Sequence, residues 1–180
     1  KQIFTKKKNR KYNYVEIGSV NIGTGEIVPL QLSAEELPAN AKIKLQKDDL
    51  IVSNVRTYRG AVAIVKQEDL IGSGAFTALG ELCGYRKEVL FILLKSKPYL
   101  ELTLKFNTGT SYPTLTDDDI LNMPIPLFSK NVQNKVMELV EQYSNTLSKS
   151  KQLLEIANRG VEMAIEQDEE TAEDRIKMQV

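Results

Sequence analysis

The sequence predicts an α+β protein in which a mixed, β-rich globular domain is followed by one long, coiled-coil-like C-terminal helix. Two observations support this prediction. Between residues 12 and 128, short runs of β-branched and aromatic residues alternate with turns that contain Gly or Pro. From residue 129 to residue 167, apolar or small residues recur at alternating steps of four and three, with mostly polar residues between them.

The long helix is predicted from a seam of apolar positions that persists for about four heptads. No Pro or Gly interrupts it before Gly160. A helix of this kind is on the order of 50 Å long at about 1.5 Å per residue, which is too long to be hidden inside a domain of this size. The seam positions are Val136, Val140, Tyr143, Leu147, Ser150, Leu154, Ala157, Val161 and Ala164. The candidate contact residues among them are Val136, Val140, Tyr143, Leu147, Leu154, Ala157 and Val161.

Three roles are open to this helix: a rod that carries the globular domain, a dimerisation strand, or a helix that packs on its own domain. The seam is not an ideal zipper, because Ser150 is polar and Ala157 is small. Small seam residues favour a close, antiparallel helix pair over a parallel leucine zipper.

The composition excludes several classes of protein. No apolar run approaches the roughly 20 residues of a membrane span and no signal peptide opens the chain, so we expect a cytoplasmic protein. With no His the usual zinc ligand sets are missing, and we expect neither a metal nor another cofactor. The single Cys83 cannot form an intramolecular disulfide and is expected to be a small buried residue.

The net charge is zero, but the charges are unevenly distributed. Residues 1–66 carry 12 Lys or Arg against 6 Asp or Glu, whereas residues 67–180 carry 12 against 18. We therefore divide the chain into a basic arm or linker (1–11), the globular domain (12–128), the long helix (129–167) and an acidic tail (168–180). The arm is expected to be either a disordered lead-in or a segment that contacts phosphates.

Within the globular domain, alternation and turn residues predict strands over 12–20, 50–55 and 61–65, and residues 71–79 are predicted to form a Gly-rich turn and a further strand. Ser33 is expected to open a capped helical turn that Pro38 stops. Two helices are predicted from Lys87 onward, separated by a break at Pro98, and Thr116 is expected to cap a short helical turn.

The loop from Arg56 to Gly60 joins two buried strands and carries two Arg and a Tyr. Folding does not require this chemistry, since a plain hairpin would form with Asn-Gly. The loop is therefore interpreted as a ligand-contacting loop, with a solvated hairpin as the alternative.

The sequence shows no recognisable catalytic machinery. There is no His to activate a nucleophile, no Glu-x-Lys of a metal-dependent nuclease core, and no Asn/Asp-Pro-Pro-Tyr/Phe motif of an adenine methyltransferase. The acidic run from Asp117 to Asp119 is explained more simply by interaction with a helix N-terminus than by Mg²⁺. We therefore expect a protein that is not an enzyme.

Three stretches, in this order, carry a resemblance to a known family. Residues 47–56 with Gly60 fit the pattern G-D-hydrophobic-hydrophobic-x-S-x-R…G, although Lys47 stands where Gly is common. Residues 94–96 and 107–110 fit L-x-S…G-T/S. Residues 115–126 fit L-x-x-x-x-L-x-x-hydrophobic-P-hydrophobic-P, and Gln133 fits the following E-Q-x-x-I with Val in place of Glu.

These motifs resemble the target-recognition domains in specificity subunits of type I restriction-modification systems, over about residues 12–165. Such subunits usually carry two recognition domains, each followed by a long helix, and the two helices pair antiparallel as a spacer. The resemblance implies either a half-subunit that dimerises through the seam or the recognition portion of a longer methyltransferase or restriction polypeptide. The initial Lys1 and the acidic tail slightly favour the second origin.

The resemblance implies sequence-specific binding of double-stranded DNA, with a methyltransferase and restriction subunits as partners and catalysis located in them. Basic residues would contact phosphates, while Arg and Asn would read bases. The candidate DNA-binding residues are Lys7, Lys8, Lys11, Asn54, Arg56, Tyr58, Arg59, Ser73, Asn107, Thr108, Thr110 and Tyr112. The alternatives are a protein-interaction adaptor without a nucleic-acid role and an enzyme of unrecognised type.

Overall fold

The computed structural model describes residues 2–80, 82–106 and 113–178. The strands in these ranges are β1 Gln2–Ile3, β2 Lys11–Val15, β3 Leu30–Ser33, β4 Ala41–Leu45, β5 Leu50–Ser53, β6 Val62–Ile64, β7 Leu70–Ser73 and β8 Phe76–Leu79. The helices are α1 Lys87–Lys95, α2 Lys97–Lys105, α3 Asp117–Leu121, α4 Lys130–Glu166 and α5 Glu169–Lys177. The chain divides into two compact units, Lys1–Asn134 and Lys135–Val180. The α+β class with a long C-terminal helix is confirmed.

The first unit is built on two sheets. A five-stranded sheet has the order β1-β4-β7-β2-β3, and a three-stranded sheet has the order β6-β5-β8. Strands β2 and β7 are parallel, and the other pairs are antiparallel. All four residues of β5 are buried, as expected of a strand that lacks polar alternation. The main core joins the sheets, with Val15, Ile43 and Leu45 packed in one cluster with Ile51 and Phe76.

The other face of the five-stranded sheet, which we call the outer face, carries a second cluster. Tyr12, Tyr14 and Ile71 pack there with Ala34 and Leu37. The last two residues lie in the predicted helical turn, where the Leu37 N–H donates to the Ser33 carbonyl at 3.1 Å. This turn was correctly predicted, and its apolar side covers part of the outer face.

Two strand predictions differ in extent from the structure. The Gly-rich turn predicted within 71–79 lies at residues 74–75 and the further strand is β8, whereas residues 70–73 form another strand, β7, in the other sheet. Strand β2 ends at Val15 and is followed by a 3-10 helix at Ile17–Ser19.

The prediction for Cys83 was wrong, since this residue is exposed in a turn and has a φ of 47°.

The helical predictions agree well with the structure. Helix α1 ends at Lys95, and Pro98 occupies the first turn of α2, where its missing N–H costs no hydrogen bond. Thr116 caps α3 through a reciprocal arrangement with Asp119. The long helix α4 begins at Lys130, as predicted.

The start of α4 is tied to the globular domain by Gln133, which is only 7% exposed. Its Oε1 accepts from the Arg86 N–H at 3.0 Å, and its Nε2 donates to the Phe128 carbonyl at 3.1 Å. These bonds explain a glutamine at this position of the third motif. The Pro-rich approach to α4 is held in addition by Tyr85, whose hydroxyl donates to the Pro126 carbonyl at 2.5 Å.

The second unit is a helical hairpin. Asp168 caps α5 by accepting from the Thr171 N–H at 2.7 Å, so most of the acidic tail is helical. Helices α4 and α5 approach closely at Gly160, where an added Cβ would lie 2.5 Å from Ile176 Cδ1. Glycine therefore permits this contact.

None of the helices in the described ranges combines the length and the apolar character that a membrane span requires.

Candidate nucleic-acid interface

The loop that follows β5 presents the arginines that the sequence singled out. Arg56 adopts a left-handed conformation with a φ of 49°, and a single turn of 3-10 helix follows at Thr57–Arg59. Gly60 closes the loop with a φ of 76°, a conformation that favours glycine. The loop is thus a compact turn rather than a two-residue hairpin.

Hydrogen bonds hold this loop on its buried base. The Ser53 hydroxyl donates to the Val55 carbonyl at 2.7 Å, and the buried Thr57 hydroxyl donates to the Ser53 carbonyl at 2.7 Å. The Arg56 N–H donates to the Pro113 carbonyl at 2.8 Å, which connects the loop to a segment distant in sequence. The backbone that carries the two arginines is therefore fixed before any ligand arrives.

Lys95 bridges this loop to another turn. Its ammonium group donates to the carbonyl of Ile22 and lies 3.4 Å from the carbonyl of Gly60. The same group stands 5.3 Å from the centre of the Phe91 ring. Burial lowers the pKa of Lys95 below its usual value, because the charged form is partly desolvated. Sequence reasoning missed this role, and the position of Lys95 within a motif was its only signal.

The side chains of the loop differ in exposure. Arg59 is exposed, whereas Arg56 and Tyr58 are half-buried. Among the described residues, the Arg59 guanidinium has no hydrogen-bond or ion-pair partner. Tyr58 lines a shallow depression together with Thr103, Pro113 and Leu115. The loop thus offers one exposed arginine beside a recessed aromatic ring.

Asn54 is engaged in a network of side chains. Its Nδ2 donates to Asp117 Oδ1 at 3.1 Å, and its Oδ1 lies 2.9 Å from the hydroxyl of Thr77. The Thr77 hydroxyl also lies 2.5 Å from Asp117 Oδ1, and its single proton can serve either acceptor. This arrangement connects β5, β8 and α3, so the amide of Asn54 already has partners in the fold.

Ser73 is likewise occupied by the fold. Its side chain is 4% exposed, and its Oγ accepts from Asn40 Nδ2 at 2.8 Å and from the Ala75 N–H at 3.1 Å. These bonds stabilise the turn between β7 and β8.

The candidate residues Asn107, Thr108, Thr110 and Tyr112 lie outside the described residues.

The basic arm is anchored to the outer face of the five-stranded sheet. The Lys7 N–H donates to the Tyr12 hydroxyl at 2.8 Å, and that hydroxyl donates back to the Lys7 carbonyl at 3.1 Å. Arg10 stacks over the Tyr12 ring at 5.8 Å. Lys7 and Lys8 are exposed. Sequence reasoning missed Tyr12 as the residue that orders the arm.

Lys11 has an acidic neighbour. The pKa of Glu36 is lowered chiefly by the hydrogen bond from the Ser33 backbone, then by the Ser33 side chain, with a smaller contribution from the charge of Lys11. Part of the positive potential of Lys11 is therefore offset by Glu36.

Among the described residues, no group of three or more His, Cys, Asp or Glu side chains is placed to hold a metal ion.

In the second unit, the predicted seam of α4 is only partly covered: Val136, Val140 and Leu147 are half-buried, whereas Tyr143, Leu154, Ala157 and Val161 are exposed. Six large apolar side chains of α4 there are more than 40% exposed: Leu139, Tyr143, Leu153, Leu154, Val161 and Ile165. At about 100° per residue these positions fall within a sector of about 120° of the helix. Helix α5 packs instead on the side of α4 that contains Gly160. This side lies outside the 120° sector of the six apolar residues. We call these six residues the α4 stripe.

The sequence profile of the family described as Type I restriction modification DNA specificity domain matches residues 1–158. The chain belongs to this family. The resemblance inferred from the motifs is therefore confirmed, and the motifs that carried it map onto β5 with its loop and onto the approach to α4.

Solved structures agree with this assignment. The specificity domain is 25% identical to the HsdS subunit from Thermoanaerobacter tengcongensis, with a TM-score of 0.62 over 87% of this chain and 41% of that one. A chain from a study of complex assembly and conformational transition of the type I R-M system is 26% identical, with a TM-score of 0.64 over 86% of this chain and 41% of that one. A search of curated proteins gave no match. The domain thus spans less than half the length of both structures.

Proposed function

We propose that this specificity domain binds double-stranded DNA at a defined sequence, without catalysing a reaction, and directs a partner methyltransferase or endonuclease to that site. The observation that carries the proposal is the exposed guanidinium of Arg59 on a loop whose backbone is fixed by hydrogen bonds. A fixed backbone reduces the entropy that must be lost when a side chain is ordered against a base edge.

Arg59 and Arg56 are the proposed readers of bases. A guanidinium offers two parallel donors, which match the O6 and N7 acceptors of guanine in the major groove. Tyr58 would pack on a sugar or base beside them. Asn107, Thr108, Thr110 and Tyr112 remain candidates for the same interface, since residues 107–112 directly precede Pro113 and the Pro113 carbonyl accepts from Arg56.

The anchored arm is proposed to contact phosphates and to set the register of the domain on the duplex. Lys7 and Lys8 are exposed cations on a segment held by Tyr12. Phosphate contacts of this kind carry no sequence information but supply salt-sensitive affinity. Lys11 is assigned a smaller share, because Glu36 lies near it.

The α4 stripe is proposed to pair with another long helix, either in a second copy of this chain or after a second recognition domain. Six exposed apolar side chains along one sector of a helix form an extended patch that a partner would shield from water. This chain covers 41% of each of the two solved structures, which leaves room in each for a second recognition domain. Methyltransferase and restriction subunits are the proposed further partners.

The proposal is tested by selecting duplexes from a random DNA library with the purified chain at two salt concentrations, followed by sequencing. We expect an enriched motif of a few base pairs, and loss of preference at one of its positions in the variant Arg59→Ala. The control variant Lys149→Ala removes an exposed cation of α4 and should keep the full motif. Weak binding that salt abolishes, without any enriched motif, would favour the adaptor function instead.

A further inference from the structure

Strand β4 has one apolar and one basic side. Ile43 and Leu45 are buried in the core between the sheets, whereas Lys42 and Lys44 are exposed. Because successive side chains of a strand point to opposite faces, Lys44 projects from the outer face. Strand β4 is irregular between Ala41 and Ile43, so the direction of Lys42 is given instead by Phe4, which pairs with it across the two strands and packs on the outer cluster. The register agrees, since Lys44 is directly opposite Ile71, which belongs to the outer cluster. Two exposed ammonium groups therefore project from the face that the arm occupies.

The arm crosses this same face. Strand β1 pairs with β4 at the edge of the sheet, and the Phe4 N–H continues the pairing to the Lys42 carbonyl at 3.0 Å. Phe4 then packs on the outer cluster, with its ring 5.1 Å from that of Tyr12 in an edge-to-face arrangement. Since β4 and β7 lie between β1 and β2, residues 5–10 pass over them on the outer side.

Acidic residues lie toward the other side of this face. Glu35 and Glu36 follow β3, which is the edge strand opposite β1. The carboxylate of Glu36 accepts from the Ser33 N–H at 2.8 Å and is near Lys11. The part of the outer face formed by β4 and the arm therefore combines Lys42 and Lys44 with the exposed Lys6 and Lys8. We call these four residues the β4 basic surface.

We infer that the β4 basic surface is a docking surface for the sugar-phosphate backbone of duplex DNA, acting on every sequence alike. The inference rests on the proposed function and deepens it, because it adds lysines that lie outside the loop from Arg56 to Gly60, which we call the recognition loop. Alternate residues of a strand are about 6.8 Å apart, and each lysine ammonium stands at the end of a flexible four-carbon side chain. Lys42 and Lys44 can thus each contact a phosphate of the same DNA strand.

The ordering of the arm strengthens this surface. The two hydrogen bonds between Lys7 and Tyr12 and the stacking of Arg10 hold the neighbouring lysines against the sheet. A duplex that binds at β4 can therefore contact the arm in its existing conformation, and binding does not require the arm to become ordered. The net charge of the chain is zero although this surface is positive, because the acidic residues that balance the lysines lie largely in residues 67–180.

The experiment measures binding of the full chain to fluorescent duplexes by anisotropy, across a series of salt concentrations. One duplex carries the motif selected by the wild-type chain, and the other carries a scrambled sequence. The test variant is Lys42→Gln/Lys44→Gln, and the matched control is Lys149→Gln/Lys151→Gln on α4. Both substitutions remove two exposed positive charges, and circular dichroism confirms that each variant is folded.

We expect the test variant to lose about tenfold in affinity for both duplexes, with the preference between them unchanged. Its log-log salt slope should be smaller in magnitude by about 1.8, which corresponds to two phosphate contacts at about 0.9 each. The control should retain the wild-type slope. An unchanged slope in the test variant would overturn the inference while leaving the proposed function intact, provided that Arg59→Ala still alters the motif. A changed sequence preference in the test variant would also overturn it, since the surface would then read bases.

Discussion

Asn54 Nδ2 donates to Asp117 Oδ1 at 3.1 Å and thereby joins two residues that are 63 positions apart in sequence. The bond connects the end of β5 to the first turn of α3, and the hydroxyl of Thr77 completes the group. Thr77 is only 2% exposed, so its polar atom depends on these partners rather than on water. The base of the recognition loop is therefore fixed by contacts that no local sequence pattern contains.

Replacing Asn54 by Ala should destabilise the first unit by about 1–3 kcal/mol, because Thr77 and Asp117 lose a partner in a poorly hydrated place. Urea unfolding followed by circular dichroism would measure the change. The control is Asn131→Ala, which removes an exposed amide at the start of α4 and should change the stability by less than about 0.5 kcal/mol. Equal stability of the two variants would show that the network contributes little.

The sequence predicted what depends on local patterns. The apolar run of β5, the Thr116 cap of α3 and the start of α4 at Lys130 all follow from residues adjacent in the chain. The network of Asn54 and the anchoring of the arm by Tyr12 were not predicted, because each joins groups that only the fold brings together.

Ser73 illustrates the same limit for the site. A serine beside glycines suggests a phosphate donor, yet the hydroxyl oxygen accepts two hydrogen bonds in a buried turn. Cys83 was placed by its residue type, whereas its exposure is determined by a turn with positive φ. In both cases the backbone geometry, which single residues do not reveal, decides the environment of the side chain.

Replacing Arg59 by Lys should separate charge from geometry at the recognition loop. Lysine retains the positive charge but lacks the planar pair of donors that fits guanine. We expect affinity for a scrambled duplex to stay within about twofold, while discrimination at one base position falls by about 1–3 kcal/mol. Competition binding with single-position variants of the selected duplex measures this. Unchanged discrimination at every position would argue that Arg59 contacts the backbone instead.

Lys95 should make the stability of the first unit depend on pH in the alkaline range. Burial lowers its pKa in the folded state below the ordinary value of 10.5, so the unfolded chain binds the proton more tightly. Stability due to this group therefore rises as the pH approaches 10.5 from below. The variant Lys95→Met lacks this titration, so the stability of wild type relative to the variant should increase as the pH rises toward 10.5. Urea unfolding of both proteins at several pH values measures the difference.

The control for this comparison is Lys97→Met, since the Lys97 side chain is 88% exposed. Its difference from wild type should be the same at every pH in that range. A pH-independent difference for Lys95→Met as well would mean that the ammonium of Lys95 is hydrated in the folded protein and does not bridge the two turns.

Replacing Gly160 by Leu should release α5 from α4. An added Cβ already comes within 2.5 Å of Ile176 Cδ1, and the rest of a leucine side chain has no space beneath α5. Helix α4 itself should persist, because leucine has a higher helix propensity than glycine by about 0.8 kcal/mol. Hydrogen exchange should therefore accelerate in residues 169–177 and not in the body of α4. The variant Gln152→Leu, at an exposed position of α4, should exchange like wild type.

The α4 stripe should mediate self-association of the isolated chain. Leu154 and Val161 are 62% and 61% exposed, and burying such side chains contributes about 1.5–3 kcal/mol each when the burial is complete. We expect sedimentation velocity to detect a dimer at micromolar concentration, and a monomer for Leu154→Glu/Val161→Glu, because a buried carboxylate without a partner is costly. The control Gln152→Glu adds a charge outside the stripe and should remain dimeric. A dimer that survives the double substitution would exclude the stripe as its interface, and a monomeric wild-type chain would assign the stripe to a helix of another recognition domain.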